Sequence, residues 1–404
     1  MRIPQLPRSN TNLAVLLFVL AFTSRMVLVF ATGQHARPQH REVHYLAASV
    51  AEGRGFGNPY AIPTGPTSHF SPGVPLLFAA AYRLFGTGMA GDIATYGLNA
   101  AAVSAVYALL PITAVLIGLP RRSGVVAALV GILIPIHFLV ELHSALSVFA
   151  ALCLQVLCLL TAWTWRHNRL TAKWGAIHGL TCGVLLLFSP QLLPVCLAFL
   201  VLAWWRYRAA MLRFAAASVA AAVVVLLPWA VRNTIALGSP IWLRGNFGLE
   251  LQVSNNEVSR PCNSESLNLY HPFVSRSECD RIVSLGEVGY MQGKLEQAER
   301  WIRSHPQEFA TLTLCRARLF WFPETYRWYQ TVLIWSLTAL ALVSLTTLKN
   351  SRRMAFGMIA AIWIVYPLVY YLVQWDNAYR YPIHWTVLLL ASHLLTRPFA
   401  ARDS

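Results

Sequence analysis

Charged residues are scarce in this sequence, and acidic residues are the scarcest. Only 12% of its 404 residues are charged, with 16 Asp and Glu against 32 Lys and Arg. A soluble globular domain carries charge on roughly a quarter of its residues, so this composition excludes one. The sequence also lacks a Cys-x-x-Cys pair and a His-Glu-x-x-His motif. These absences exclude the common zinc modules that are built on those two motifs.

Long uncharged hydrophobic runs stand where a soluble protein would carry charge. Hydrophobic residues make up 56% of the sequence, and the runs are close to the roughly 20 residues that cross a bilayer as a helix. We therefore expect an all-α polytopic membrane protein with about ten transmembrane helices. The expected spans are residues 12–31, 92–117, 123–139, 145–164, 174–188, 191–205, 214–231, 330–347, 354–373 and 382–397.

The excess of basic residues follows this topology. The net charge is +16, and +14 of it lies at the expected inner ends of the spans, where fifteen Lys and Arg residues stand against one acid, as the positive-inside rule requires. The pattern places both termini in the cytoplasm and leaves no basic face for nucleic acid. The first hydrophobic run lacks a clear cleavage site and is interpreted as a retained signal anchor. Segments 174–188 and 191–205 are short, and they fit either two crossings or one re-entrant pair.

The chain divides into three parts along this topology. The expected parts are a membrane domain at 1–231 with a first outer loop at 32–91, an extracytoplasmic helical cap at 232–329, and C-terminal transmembrane helices at 330–404. Within the cap, His305-Pro306 predicts a break between two helices. Cys262 and Cys279 also lie there, in a compartment where a disulfide can form, and the sequence leaves their pairing open.

Glu42 is an isolated carboxylate directly after the first hydrophobic span. On a predicted helix from Arg41 to Glu52 it shares a face with Tyr45 and Ser49. Partial burial would raise the pKa of this carboxyl and suit it to accept a proton from a hydroxyl or amine. The alternative is a helix N-terminal acid that interacts only with the helix dipole.

Glu141 is a second acid at the boundary of two expected spans. Carboxylates at membrane depth are costly and mark functional sites by default, so we expect Glu141 to share a cavity with Glu42. The alternative is a capping glutamate at the water interface.

Several other polar residues near the expected outer surface are candidate ligands for a substrate. Arginine suits phosphate oxygens, and Arg232 and Arg380, followed by Tyr381, lie at outer span ends; snorkelling to the interface is the alternative. Asn256 could bind a sugar or form a turn. Arg25 and the histidines 44, 69 and 143 complete the set. The histidines show no metal-ligand spacing with Glu42, so we assign no metal ligand, and a divalent cofactor stays open.

Four segments in order resemble the polyprenyl-phosphate-dependent glycosyltransferases of the GT-C fold, in particular the bacterial family 39-like proteins, the protein O-mannosyltransferases and the lipid A aminoarabinose transferases. The segments are Arg41-Glu42-Val43-His44-Tyr45, TGPTSHFSPGVPLLF, PWAVRNTIALGSPIWLRGNFGLELQVSNN and HPFVSRSECDRIVSLGEVGY. The resemblance implies a GT-C-like helical bundle with an outer helical loop domain. It also implies that Glu42 is a catalytic base, with Glu141 as a second acid and Tyr45, His69, Arg232, Asn256, Arg380 and Tyr381 on the substrate.

The function implied by the resemblance is transfer of a sugar from a polyprenyl-phosphate carrier at the outer face of a bacterial cytoplasmic membrane. The partners would be a lipid-linked sugar donor, a glycan, lipid or protein acceptor, and the membrane. The alternative is a transporter or flippase of a lipid-linked saccharide, which would require polar residues through several span centres. A scaffold without catalysis is a third possibility.

Overall fold

In a computed structural model, the described residues are 8–397 except 38, 40, 209, 263 and 326. Both termini, expected in the cytoplasm, reach beyond these residues. The described residues form eighteen α-helices: α1 (Arg8–Ala31), α2 (Glu42–Ala51), α3 (Gly73–Phe85), α4 (Met89–Ile117), α5 (Arg121–Leu133), α6 (Phe138–His143), α7 (Ala145–Arg166), α8 (Ala172–Phe188), α9 (Leu193–Tyr207), α10 (Ala210–Leu237), α11 (Phe247–Ser254), α12 (Ser264–Tyr270), α13 (Arg276–Ser304), α14 (Pro306–Trp321), α15 (Trp328–Ser351), α16 (Arg353–Val365), α17 (Leu368–Leu372) and α18 (Asn377–Thr396).

Many of these helices have the length and composition of membrane spans. Six of them, among the described residues, are long and apolar enough to cross a bilayer: α1, α4, α7, α10, α15 and the α16–α17 pair. The helices α8 and α9 are apolar but shorter. Each of the ten expected spans lies largely on helix. The protein is therefore an all-α, multi-pass membrane protein.

Helix α18 is the centre of the bundle. It contacts α4, α5, α7 and α15, and every residue from Arg380 to His393 is buried. Because other helices cover it on all sides, α18 carries buried His and Arg side chains that a lipid-facing helix would exclude.

Glycines set the closest helix pair, α8 against α10. Gly175, Gly179 and Gly183 recur every four residues on one face of α8. A Cβ at Gly179 would lie 1.9 Å from the carbonyl oxygen of Ser218, and one at Gly175 would lie 2.2 Å from that of Phe214. Such small-residue faces let membrane helices approach closely. The packing holds α8 parallel to its neighbour along the bundle.

Residues 32–91, the first outer loop, combine two helices with an irregular crossing. Helices α2 and α3 pack against each other, and α2 lies within the helix predicted from Arg41 to Glu52. Between them, an isolated bridge joins Gly57 to Pro66. The Asn58 side chain accepts hydrogen bonds from the backbone of Thr64 and Gly65 at 3.1 and 2.9 Å. The crossing is thus a closed, ordered turn.

Helices α11–α13 form a second packed unit against this loop, and α14 follows them along the chain. Its core consists of Tyr60 from the first outer loop with Leu249, Val253, Cys279, Ile282, Tyr290 and Met291. The predicted break at His305-Pro306 is confirmed, since α13 ends at Ser304 and α14 begins at Pro306. Gly286, with φ of 71°, bends α13 in a conformation that favours glycine. This unit therefore covers the first outer loop.

The structure differs from the expected boundaries at two places. Helix α10 continues past residue 231 to Leu237, because Arg232 and Asn233 find polar partners while still helical. The expected span 123–139 ends as helix at Leu133, since Pro135 interrupts the chain before α6 begins. Cys262 and Cys279 are both free thiols.

Candidate functional site

Three side chains from separate parts of the chain meet where the first outer loop touches α11–α13. The Oε1 atom of Glu42 lies 3.3 Å from Nε2 of His69 and 3.9 Å from Nε2 of His271. One ligand atom from each residue falls within 4.8 Å of the other two. The Glu42 side chain is 21% exposed, whereas His69 is buried. We name Glu42, His69 and His271 the Glu-His-His cluster.

Local structure fixes Glu42 and His271 at opposite sides of this cluster. Glu42 is the first residue of α2, where a carboxylate is favoured by the helix dipole. His271 directly follows α12, and its Nδ1 accepts a hydrogen bond from the backbone N–H of Phe273 at 3.2 Å. A neutral His271 therefore carries its proton on Nε2, which points to Glu42.

His69 is held from both sides by charged residues of other segments. Its carbonyl oxygen accepts a hydrogen bond from Nε of Arg244 at 2.7 Å. Its backbone N–H donates to the hydroxyl of Thr67, which in turn donates to Glu287. Glu287 also accepts from the backbone and hydroxyl of Ser68 at 2.6 and 2.7 Å. These contacts attach His69 to helix α13.

The neighbouring side chains determine the charge of Glu42. Burial opposes ionisation, but His69, His271 and Arg244 outweigh it and lower the pKa of Glu42 to about 2. The sequence analysis predicted a raised pKa, and this was wrong because it took no account of histidines contributed by distant segments. Burial lowers the pKa of His271, although Glu42 opposes this. At neutral pH the cluster therefore combines a carboxylate with a neutral His271.

Two of the three residues in the cluster present atoms that can coordinate a divalent cation. The Glu42 Oε1 atom is buried and makes no hydrogen bond of good geometry, so it is free to coordinate. His69 can do the same through Nε2, because Tyr60 Oη, 3.3 Å from its Nδ1, can accept the Nδ1 proton. His271 cannot, unless it loses its bond from Phe273 or turns its ring. Glu42 and His69 can thus coordinate a cation as they stand. The spacing of these residues in the sequence had not indicated a metal site.

Arg244 is the cation nearest to the cluster that retains solvent access. Its guanidinium lies 5.0 Å from the ring centre of Phe70 and 3.5 Å from Oε1 of Glu250. Its side chain is 29% exposed. Glu250 compensates part of its charge, but the partly exposed guanidinium can still donate to a phosphate group that enters from solvent. The sequence analysis did not single out Arg244 or His271, although both lie in segments that carried the family resemblance.

Glu141 lies in a different environment from the one expected. It forms a buried ion pair with Arg25, with 2.9 Å between Oε2 and Nε. Its other oxygen accepts hydrogen bonds from the hydroxyls of Tyr107 and Tyr381, each at 3.0 Å. With these lone pairs occupied, Glu141 has no place in the Glu-His-His cluster. The same bonds occupy Arg25 and Tyr381, which were expected to contact substrate.

Arg232 and Asn256 are occupied by the backbone. The guanidinium of Arg232 donates to the carbonyl oxygens of Thr67 and Phe56 and lies over the rings of Phe56 and Trp229. Asn256 donates to the carbonyl of Gln252 and accepts from the N–H of Val258. Arg232 therefore braces the first outer loop, and Asn256 forms the turn that the sequence left as an alternative.

The other residues that the sequence suggested for the site lie in different parts of the structure. Arg380 is fully buried in the first turns of α18, where it donates to the hydroxyl of Thr338; it does not lie in an exposed turn. Tyr45 is half-buried on α2, one turn after Glu42. His44 packs against Phe78. Of the predicted substrate residues, the structure brings His69 into contact with Glu42 and places Tyr45 nearby.

Comparison with known proteins gives a fold but no family. No protein-family model matches the chain, and no curated protein matches it. Among solved structures, the archaeal oligosaccharyltransferase AglB from Archaeoglobus fulgidus, in complex with an inhibitory peptide and a dolichol-phosphate, matches with a TM-score of 0.58 and 13% identity. The match covers 98% of this chain and 51% of that one.

A second structure agrees with the first. The Archaeoglobus fulgidus oligosaccharyltransferase tethered to an acceptor peptide containing an NVT sequon matches with a TM-score of 0.54 and 12% identity, over 97% of this chain and 50% of that one. The chain thus spans about half the length of the solved structures that it matches. The expected GT-C-like bundle is confirmed as a fold.

Proposed function

We propose that this protein is a membrane glycosyltransferase that transfers a sugar from a polyprenyl-phosphate carrier to an acceptor. The observation that carries the proposal is the Glu-His-His cluster, with its ionised, partly exposed Glu42, on a GT-C fold. In this proposal the cluster faces the outer side of a bacterial cytoplasmic membrane, and residues 232–329 act as the cap over it. The resemblance to family 39-like transferases supports this placement.

The reaction would be a single displacement with inversion at the anomeric carbon. The acceptor oxygen or nitrogen forms the new bond to that carbon, while the carbon–oxygen bond to the lipid phosphate breaks. The phosphate leaves with the bonding electrons and is already anionic. Arg244 is placed to stabilise its charge, a role that the sequence analysis gave to Arg380.

Glu42 would act on the acceptor. With a pKa of about 2, it is a weaker base than one poised near neutrality. It therefore orients the acceptor by accepting its hydrogen bond, and it takes up the proton only as the new bond forms and the nucleophile becomes acidic. His69 holds Glu42 in place from a buried position. A divalent cation bound by Glu42 and His69 would supply further positive charge to the leaving phosphate.

The comparisons support one donor class and one acceptor class. The archaeal neighbours were solved with a dolichol-phosphate and with an acceptor peptide. They support a polyprenyl-phosphate carrier here and, among the expected glycan, lipid or protein acceptors, they favour a peptide or protein. Because half of each neighbour has no counterpart in this chain, the acceptor is the less supported of the two.

Reconstitution with a labelled polyprenyl-phosphate sugar tests the proposal. The wild-type protein should release the sugar to an acceptor, and Glu42→Gln should abolish transfer while the protein inserts and folds normally. Translocation of the labelled lipid without transfer would instead identify a flippase. Wild-type turnover by Glu42→Gln would refute the assignment of Glu42.

A further inference from the structure

We infer that a basic cavity at the opposite end of the bundle binds the phosphate group of an anionic membrane lipid. This cavity has a volume of about 190 Å³ and is lined by Arg122, Arg352, Arg397 and His393, with the hydroxyls of Ser351 and Thr396. A water molecule takes about 30 Å³ of liquid volume, so the cavity has room for a phosphate group and its hydration.

The cavity is remote from the Glu-His-His cluster. The backbone N–H of Gln39, just before α2, donates to Asp92 in the first turn of α4. Gly118, directly after α4, accepts a hydrogen bond from Arg352 at the cavity. Helix α4 has 29 residues, which corresponds to about 43 Å. The two sites therefore face opposite surfaces of the membrane.

Within residues 8–397, no ion pair neutralises the basic side chains around this cavity. Of the described residues that line it, none carries a carboxylate. Nε of Arg122 is buried without a hydrogen-bond partner. Three guanidinium groups around one cavity repel each other unless an anion enters it. Phosphate, with several oxygens that accept forked arginine donors, is the anion that fits best.

His393 shows that the cavity is built into the fold. It is 3% exposed, and its Nδ1 lies 3.3 Å from the hydroxyl of Ser123. Nε2 of His393 is also buried without a partner, and the residue lines the cavity. An unsatisfied buried polar atom is costly. A bound phosphate oxygen would accept a hydrogen bond from Nε2 and remove this cost. A general excess of positive charge at a membrane surface would leave Nε2 without a partner.

The neighbouring surface identifies a lipid as the source of the phosphate. A second cavity of about 430 Å³ is lined by Arg353, adjacent in sequence to Arg352, and by Arg166. Its other walls include the apolar side chains of Trp165, Leu202 and Met354. A lipid has both a phosphate and an apolar part, whereas a free phosphate leaves this apolar wall unused. Basic pockets between transmembrane helices at this kind of surface bind anionic headgroups.

Native mass spectrometry of the full chain, titrated with single lipids after delipidation, tests the inference. We expect phosphatidylglycerol to bind at least tenfold more tightly than phosphatidylcholine, and high salt to reduce this preference. The double variant R122Q/R397Q should lose roughly fivefold in phosphatidylglycerol affinity for each arginine. The matched control R169Q/R213Q removes two exposed arginines at the same end, outside the cavity, and should retain the wild-type affinity.

Three outcomes would overturn the inference. Equal wild-type affinity for the two lipids would exclude an anionic-lipid site and requires no variant to fold. An equal loss in R122Q/R397Q and in the control would show general surface attraction. Competition by millimolar inorganic phosphate, without preference between the lipids, would identify a free-phosphate site. Thermal unfolding in phosphatidylcholine nanodiscs shows whether each variant is folded.

Discussion

Arg25 of α1 and Glu141 of α6 form an ion pair inside the helical bundle, with side-chain exposures of 3% and 2%. Arg25 also donates to the carbonyls of Ile132 and Gly131 at 2.8 and 2.7 Å. The pair therefore ties the first helix to the end of α5 and to α6.

The first prediction concerns the stability that this pair provides. Glu141→Ala leaves a buried guanidinium without its counterion, so it should lower the free energy of unfolding by about 3–5 kcal/mol. The control Glu299→Ala breaks an exposed pair with Arg303 and should cost less than about 1 kcal/mol. Denaturant unfolding in one detergent compares the two. A stable Glu141→Ala protein without transfer activity would restore a catalytic role.

The second prediction concerns the pH dependence of Glu42. Its pKa of about 2 means that the carboxylate is ionised in the folded protein from neutral pH down to the region of pH 3. The stabilisation from this lowered pKa is complete above the unfolded value, about 4.3, and is lost as the pH falls towards 2.

The transfer rate should accordingly show no acid limb from Glu42 above about pH 4. His69→Asn removes the largest source of the lowering, so burial then raises the pKa and the limb should move to higher pH. A pH profile of transfer in both proteins checks this. An unchanged profile in His69→Asn would contradict the coupling of the two residues.

The third prediction separates the two histidines as metal ligands. Because Nδ1 of His271 already accepts a hydrogen bond from Phe273, His69→Ala should weaken binding of Mn²⁺ by at least about tenfold, the lower end of what even indirect ligand losses cost. His271→Ala should change it little. Isothermal titration calorimetry measures both, with Glu42→Gln as the third ligand loss. Equal effects of the two histidine variants would show that His271 turns its ring to coordinate.

The fourth prediction concerns the contact of α8 with α10. Gly179→Ala places a Cβ 1.9 Å from the Ser218 carbonyl, so the helices must separate, at a cost of about 1–3 kcal/mol. Gly97 on α4 offers a matched control, because a Cβ there meets no atom within 4 Å. Gly97→Ala should be neutral or slightly stabilising. Thermal unfolding measures the stability of both variants. Equal unfolding midpoints for the two would refute the close packing of α8 against α10.

The fifth prediction concerns Glu287, which holds Ser68 and Thr67 beside His69. Glu287→Ala removes the acceptor of these bonds, so residues 56–69 should exchange backbone hydrogens faster while the bundle keeps its protection. Glu296→Ala on the exposed side of α13 is the control. Hydrogen exchange with mass spectrometry measures both variants. Unchanged protection in Glu287→Ala would show that other contacts hold the loop.

The amino-acid sequence was sufficient to predict the fold class, the helix that begins at Glu42 and the break at Pro306. These follow from hydrophobic run length and from proline, which act within a short stretch of chain. It also indicated that Glu42 stands apart, because an isolated acid beside a membrane span is visible without a structure.

The groups that surround each charge become known from the folded helical bundle and could not be predicted from the sequence. Glu42 and Glu141 look alike in sequence, yet His69 and His271 meet the first and Arg25 neutralises the second. Arg232 was expected to contact the substrate, but it binds backbone carbonyls. Arg244 was not singled out in the sequence, yet it remains partly exposed beside the cluster. Charge interactions depend on distance and burial, and both are set by contacts between segments far apart in the chain.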